Sequence, residues 1–525
     1  MKSQRRLSAT AAMLLALAAT ATSCVSSGAG APVPDGSRRT LIVNAKVLDG
    51  TGAAPRQASV RIAGGRILAV GDLQPESADS VVDAAGLVLA PGFIDTHSHA
   101  DRQIFTHRDA LAAVSQGITT IVVGQDGGSA DTLPAFFARL EQTPAAINVA
   151  SYVGHGTIRD LVMGDDFRRH ATPEEIRRMQ ELVRDGMRAG ALGLSTGLEY
   201  DPGIYSDPSE VLALARTAGE LGGRYISHIR SEDRYFWKAV DEIITIGRTT
   251  GMPVQISHAK LAMRSLWNQG DSLIRMLDRA RASGVKITAD LYPYTYWQSN
   301  LGVLLPERNF EDRAAAQFAL DEVAPPEGLL LSAYAPEPSY VGKTVADIAK
   351  LRGTDPTTAY MDLLRDAEAM REARARGDSS GGSGTVDRVI GTSMVEADIE
   401  RIMAWPFTNF CTDGSLVDRH PRGGGSFPRI LGRYVRERGV VTLPEAVRKL
   451  SGLAAANLGI RERGTIAPGS FADLVLFDPE TVMDRASLED PGARSVGIRV
   501  VWVNGEVVYR DGVATGKYAG RVIRR

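Results

Sequence analysis

The run Asp95-Thr96-His97-Ser98-His99 places two imidazoles two residues apart. In an extended strand that spacing turns both to one face, where they can hold one divalent cation. His228, His258 and Asp413 stand at or just past the ends of later apolar runs, and Asp126 lies in the turn Gly124-Gln125-Asp126-Gly127 after another. Four of the chain's eight histidines fall at such run ends, a placement that points to a single centre. An isolated His-x-His is structural more often than not, and the later His and Asp residues are what make this one a predicted metal site. Imidazole and carboxylate donors suit zinc, and manganese or cobalt as well. One or two such ions would activate water and polarise a carbonyl.

Such residues act together only if a scaffold gathers the run ends. Apolar runs at 92–97, 118–123, 148–153, 191–195, 224–228, 254–258, 286–291 and 408–412 alternate with helical segments. This predicts an α/β fold, a (β/α)8 TIM-type barrel over 91–464, with its active site at the C-terminal ends of the strands. Helix starts are marked at Thr172-Pro173-Glu174-Glu175 and Thr442-Leu443-Pro444-Glu445, each a capping pair with a proline in the first turn. Before the last strand, an insertion at about 296–405 carries a Gly/Ser-rich stretch, 379–384, and is expected to form a lid or subdomain over the barrel mouth. Short β-rich runs fill 40–90 and 465–525, with Asn504-Gly505 as a hairpin turn, and predict one small β-sandwich built from both chain ends.

The 525 residues are 44% hydrophobic with a formal charge of −2, so no basic footprint points to nucleic acid and a small molecule is the expected partner. Residues 1–6 are basic and 7–21 apolar, the layout of a secretory leader over 1–23. Ala21-Thr22-Ser23-Cys24 resembles a lipobox, with Ala21 where a larger aliphatic residue is usual, and 24–39 reads as a tether. Export to a bacterial cell envelope or periplasm follows, with a lipid anchor to the membrane through Cys24. The second cysteine, Cys411, lies two residues before Asp413 and reads as barrel core, which leaves no disulfide within the chain. Asp290, inward on the seventh run, is expected to orient its neighbours.

From about residue 41 to the C-terminus the chain resembles the N-acyl-D-amino-acid deacylases (D-aminoacylases) of the metal-dependent amidohydrolase superfamily. The resemblance is carried by Pro91-Gly92-Phe93-Ile94-Asp95 leading into the His-x-His, and by Gly193-Leu194-Ser195-Thr196-Gly197-Leu198. Ile256-Ser257-His258-Ala259-Lys260, Tyr292-Pro293-Tyr294-Thr295, His420-Pro421-Arg422, Phe427-Pro428-Arg429-Ile430-Leu431-Gly432 and Val503-Asn504-Gly505 continue it in order. It implies hydrolysis of the linear amide of an N-acyl-D-amino acid to a carboxylic acid and a D-amino acid. The metal ligands it implies are His97, His99, Asp126, His228, His258 and Asp413, with Asp413 also catalytic. Tyr292 and Arg422 match positions that hold the substrate's α-carboxylate, and Lys260, two beyond His258, would complete a clamp.

Two further substrate-binding candidates have plain structural alternatives. Arg230, two beyond His228, could equally make a surface ion pair, and His155, at the end of strand three, could equally be core. The chain departs from the family twice. Asp126 stands where the best-known members carry a bridging Cys, and it could instead be a turn residue capping the next helix. Thr295-Tyr296-Trp297-Gln298 replaces residues that are usually small. A dipeptidase or cyclic-amide hydrolase of the same superfamily would share this metal centre. A non-catalytic envelope binding lipoprotein would have no evident reason to retain all six ligands.

Overall fold

The computed structural model describes residues 39–376 and 384–525. The expected leader, Cys24, the tether up to residue 38 and residues 379–383 of the Gly/Ser stretch lie outside the described residues. Eight parallel strands ring a common core: Phe93–Asp95, Ile118–Val123, Asn148–Ser151 continued by Val153–Gly154, Gly193–Gly197, Arg224–His228, Val254–Ile256, Ile287–Leu291 and Thr408–Phe410. Ile118–Val123 is buried at every position, as a strand covered on both faces must be. The ring closes where the first strand meets the last. There the Asp413 amide donates to the His97 carbonyl at 2.9 Å, and Ser98 and Gly414 form a parallel bridge. Asp95 clasps the same joint, accepting from the Thr412 amide at 2.9 Å and its hydroxyl at 2.6 Å.

The helix Pro173–Ala189 starts with the full reciprocal capping box of Thr172 and Glu175. At Thr442 only half of the expected pair forms. The Thr442 hydroxyl accepts from the Glu445 amide, while the Glu445 carboxylate turns to Arg448.

Residues after Tyr292 leave the barrel and build a three-stranded antiparallel sheet, with Tyr296–Ser299 on one margin, Asp387–Thr392 in the centre and Leu329–Tyr334 on the other. Helices Val345–Arg352 and Pro356–Ala375 belong to the same insertion.

As expected, the two β-rich ends form one unit, a nine-stranded sheet among the described residues. The sheet curls until Ile67 donates to the Ser470 carbonyl at 2.8 Å. Ile42, Val60, Leu474 and Trp502 are among its core side chains. One of its strands, Asp79–Asp83, escaped the sequence reading because it lies off the main path of the sheet and is mostly exposed, without the apolar alternation that marks the others. The Asn504-Gly505 turn has positive φ at both residues, 48° and 82°, as a tight hairpin requires. Asp473 ties this sheet to the barrel, accepting from the Asn504 amide at 2.7 Å, from Asn148 of strand three at 3.1 Å, and from the buried Arg463. Among the described residues no helix is long and apolar enough to cross a membrane.

Candidate metal centre and substrate pocket

The strand ends open into a cavity of about 740 Å3. On its floor His97 and His99, from the end of the first strand, meet Asp126 from the second and Asp413 from the eighth. Asp126 Oδ2 lies 3.3 Å from His97 Nε2 and 3.3 Å from His99 Nε2. Its other oxygen, Oδ1, lies 3.4 Å from His258 Nε2. Asp413 Oδ1 is 3.2 Å from His99 Nε2 and 3.6 Å from His97 Nε2. His228 Nδ1 sits 3.1 Å from His258 Nε2. The donor atoms of His97, His99, Asp126 and Asp413 fall within 4.8 Å of one another, and so do those of Asp126, His228 and His258. Asp126 belongs to both groups, one oxygen toward each.

This donor set fits a divalent pair. Both ring nitrogens of His97 and Oδ1 of Asp126 are buried with no hydrogen-bond partner. Buried polar atoms of that kind need a partner, and a cation at the shared focus supplies one. The electrostatics agree. Burial opposes a charge on His258, as does Lys260, yet Asp126, Glu232 and Asp413 push its imidazolium up to about 10. Burial would likewise raise Asp413, but Arg422 and the imidazoles hold it far below the usual carboxylate range. The floor therefore draws positive charge.

Backbone geometry aims the ligands. Asp126, His258 and Asp413 all adopt left-handed φ, 51°, 35° and 50°, which is uncommon outside glycine and clusters at functional sites. The Asp126 turn depends on its flanking glycines. A Cβ at Gly124 would lie 2.4 Å from the Tyr152 carbonyl, and one at Gly127 would lie 2.9 Å from the Gly197 amide. Ser195 of the Gly-Leu-Ser-Thr-Gly run holds the turn between them, its hydroxyl donating to Gly124 O and accepting from Gly127 N. Asp290 orients its neighbours as expected, accepting from the His258 amide and from Gln255. Cys411 is fully buried beneath them.

Above the floor, Tyr292 lies between two cations, with the Arg422 guanidinium 4.8 Å and the Lys260 ammonium 5.8 Å from its ring centroid. Its hydroxyl is buried without a partner. Arg422 reaches Asp413 Oδ2, and Lys260 bonds Glu232 at 2.6 and 2.8 Å and His258 Nδ1 at 2.6 Å. His420 supports Arg422 from behind. Burial and Arg422 keep its imidazole neutral, so Nδ1 accepts from the Arg422 amide at 3.0 Å while Nε2 donates to the Tyr296 carbonyl at 3.0 Å.

Two sequence candidates are corrected. Arg230 does not face the cavity; it pairs with Glu242 through two bonds of 2.9 Å and donates to the Ser206 carbonyl. The strand ends at His228, so two-residue alternation no longer governs Arg230. His155 is not a substrate residue either. It opens the helix His155–Met163 and is fully buried, 2.8 Å from Glu210, which Arg159 also engages.

Two carboxylates were missed. Glu199 lies 2.9 Å from His228 Nε2, and Glu232 lies 3.0 Å from His258 Nδ1. Each orients the imidazole whose other nitrogen faces the centre. Their signal was their position, just past the ends of strands four and five.

Similarity to known proteins agrees with this geometry. Residues 80–509 match the model of the Amidohydrolase family. The chain belongs to that family. It is 34% identical to a D-aminoacylase of Alcaligenes xylosoxydans xylosoxydans, covering 92% of this chain and 97% of the relative. An N-acyl-D-glutamate deacylase of the same organism is 36% identical, covering 91% and 95%. Among solved structures, an N-acyl-D-glutamate deacylase from Bordetella bronchiseptica, complexed with zinc and a phosphonate mimic of the tetrahedral intermediate, superposes with a TM-score of 0.81 at 36% identity, over 93% of this chain and 99% of that one.

The split of Asp126 between two groups of imidazoles makes a prediction. Asp126→Ala lowers both metal per chain, read by elemental analysis, and kcat, and excess metal restores part of the rate. Full metal content with normal kcat would reduce Asp126 to a turn residue.

Proposed function

We propose that this amidohydrolase cleaves the amide bond of N-acyl-D-amino acids, releasing a carboxylic acid and a free D-amino acid. The observation that carries the reading is the meeting, in one cavity, of a two-group metal-ligand floor with an Arg–Tyr–Lys cluster suited to an α-carboxylate. Its deacylase relatives, over nearly their whole lengths, support the same substrate class.

His97, His99, Asp126, His228, His258 and Asp413 would hold one or two divalent ions. Zinc is the first choice, and the all-nitrogen-and-oxygen donor set also admits manganese or cobalt. Such an ion supplies activation of water and polarisation of the scissile carbonyl. Asp413, at the mouth of the last strand, takes the proton from the attacking water and delivers it to the departing nitrogen. Arg422 keeps Asp413 ionised and in place through Oδ2. The unpartnered Tyr292 hydroxyl donates to the substrate's carboxylate, and Arg422 and Lys260 supply charge beside it. Fixing the carboxylate relative to Asp413 leaves one face of the α-carbon for the side chain, which is how D would be chosen over L.

A hydrolysis screen of metal-loaded enzyme against paired N-acetyl-D- and N-acetyl-L-amino acids tests the reading. Turnover of the D-series is expected, and hydrolysis of neither series ends it. In the same assay Asp413→Asn lowers kcat by about 10²–10⁴, the usual worth of a general base, while the fold is kept. A near-normal kcat would remove Asp413 from that role.

We also propose that the protein is exported and anchored to the cell envelope by a lipid on Cys24. The basic segment 1–6, the apolar run 7–21 and Ala21-Thr22-Ser23-Cys24 support this. Labelled fatty acid fed to bacterial cells expressing the gene should enter the wild-type chain and not Cys24→Ala. Equal labelling of the two would rule the anchor out.

A further inference from the structure

The cavity, at about 740 Å3, lies well within the range of roughly 300–1,000 Å3 that takes drug-sized ligands. An acetyl group uses little of that. Its outer wall is made by the insertion, and four consecutive residues of it, Trp297, Gln298, Ser299 and Asn300, border the space. Successive side chains of a strand point to opposite faces. Consecutive lining residues therefore mean that the cavity runs along the strand's edge and not across one face.

That edge is open. Among the described residues Tyr296–Ser299 pairs only with Asp387–Thr392 and is a margin of its sheet. The direction of its free groups follows from two bonds. The Tyr296 carbonyl turns outward to accept from His420 Nε2, while Thr392, its register partner, turns its amide the other way to the Gly328 carbonyl at 2.9 Å. Tyr296 and Thr392 are thus a non-hydrogen-bonded pair. By the alternation of an antiparallel ladder, Gln298 is the next residue whose N–H and C=O point out of the sheet. Ile390, opposite Gln298, is correspondingly turned toward Leu330. An unpaired strand edge is a template for another extended chain, and main-chain bonds to it bind peptides without regard to side chain. The edge begins four residues after Tyr292, so it leads outward from the carboxylate cluster. Ser299, Asn300, Thr385 and Arg388 give much of this wall a polar lining suited to a peptide backbone.

We propose that the acyl group this cavity accommodates is a peptide, laid along the open edge at Gln298, so that the enzyme removes a C-terminal D-residue from a peptide. This rests on the reading that N-acyl-D-amino acids are the substrates. Water adds to the carbonyl carbon of the last peptide bond and the C–N bond breaks. The departing amine takes up a proton, leaving a shortened peptide with a new carboxylate and a free D-amino acid.

The test is a series on the holoenzyme: N-acetyl-D-Xaa, N-acetyl-Ala-D-Xaa and N-acetyl-Ala-Ala-D-Xaa, with N-decanoyl-D-Xaa as the alkyl comparison. D-Xaa is the residue turned over best as its N-acetyl derivative. We expect kcat/KM to rise about tenfold along the peptide series, the worth of one or two net hydrogen bonds. N-methylation of the peptidyl amides should erase the gain, a result that needs no enzyme variant. Gln298→Pro, which removes the outward N–H, should lower the peptidyl-to-acetyl ratio, and Gln298→Ala, which keeps it, should not. A flat series, or a gain matched by the decanoyl compound, overturns the peptide assignment while leaving the deacylase reading standing. Equal loss on acetyl and peptidyl substrates in Gln298→Pro, with N-methylation harmless, overturns it too. Turnover of no member of the series sinks both readings.

Discussion

The structure depends on one electrostatic constraint, the crowding of carboxylates beneath the barrel mouth. Asp126, Asp413, Glu199 and Glu232 line one cavity with the imidazoles of His99, His228 and His258, and Lys260 and Arg422 are the permanent cations bonded to them. Taking an isolated carboxylate out of water costs several kcal/mol unless it is compensated. Compensation from the protein alone is incomplete, because neither nitrogen of His97 nor Oδ1 of Asp126 has a hydrogen-bond partner. The floor is built to take up positive charge.

Meeting that constraint shapes the backbone. Metal ligands on a barrel must project from strand ends, where the regular ladder stops fixing direction. Three of the candidate ligands, Asp126, His258 and Asp413, use left-handed φ to turn inward, at roughly 1–3 kcal/mol each. The surroundings over-determine these conformations: Ser195 braces the Asp126 turn, Asp290 receives the His258 amide, and the His97 carbonyl receives the Asp413 amide. Outside this shell, Glu199 and Glu232 decide which nitrogen of His228 and His258 faces the centre. The closing joint of the barrel and the metal floor are thus the same few residues.

The eight barrel strands could be read from sequence because buried parallel strands are continuous apolar runs, and the candidate ligands that meet on the cavity floor stand at run ends. Asp126, in the turn after the second run, joins both candidate groups. Reading by run ends failed where the strand had already ended. Arg230 was assigned by extending two-residue alternation past His228, whereas the chain had left the ladder and brought Glu232 inward instead. His155 was placed at a strand end, but the strand stops at Gly154 and His155 starts a helix. Glu199 and Glu232 carry no periodicity at all. Only three-dimensional closure brings them to the imidazoles. The Asp79–Asp83 strand was invisible for another reason, since it is mostly exposed and only Val82 reaches the sheet's core, too little to mark an alternation.

The division between barrel and insertion separates chemistry from selection. Every group on the cavity floor comes from barrel strand ends or the loops directly after them, whose positions are fixed by ring closure. The outer wall comes from a sheet whose position is fixed by different contacts. Trp297 lies against Gly391, where a Cβ would approach its ring to 2.3 Å, and its indole N–H is anchored to the Ser393 hydroxyl at 2.6 Å. A second indole, Trp267 from the loop after strand six, donates to the Ser393 carbonyl at 2.8 Å and ties this wall back to the barrel. The bulky residues at 295–298, an oddity in the sequence, therefore serve to hold a strand edge at a set distance from the floor. A wall anchored in this way can change its substrate range by substitutions at 296–300 or 385–388 without disturbing a single metal ligand. On the reading proposed above, the acyl group meets this wall and not the histidines.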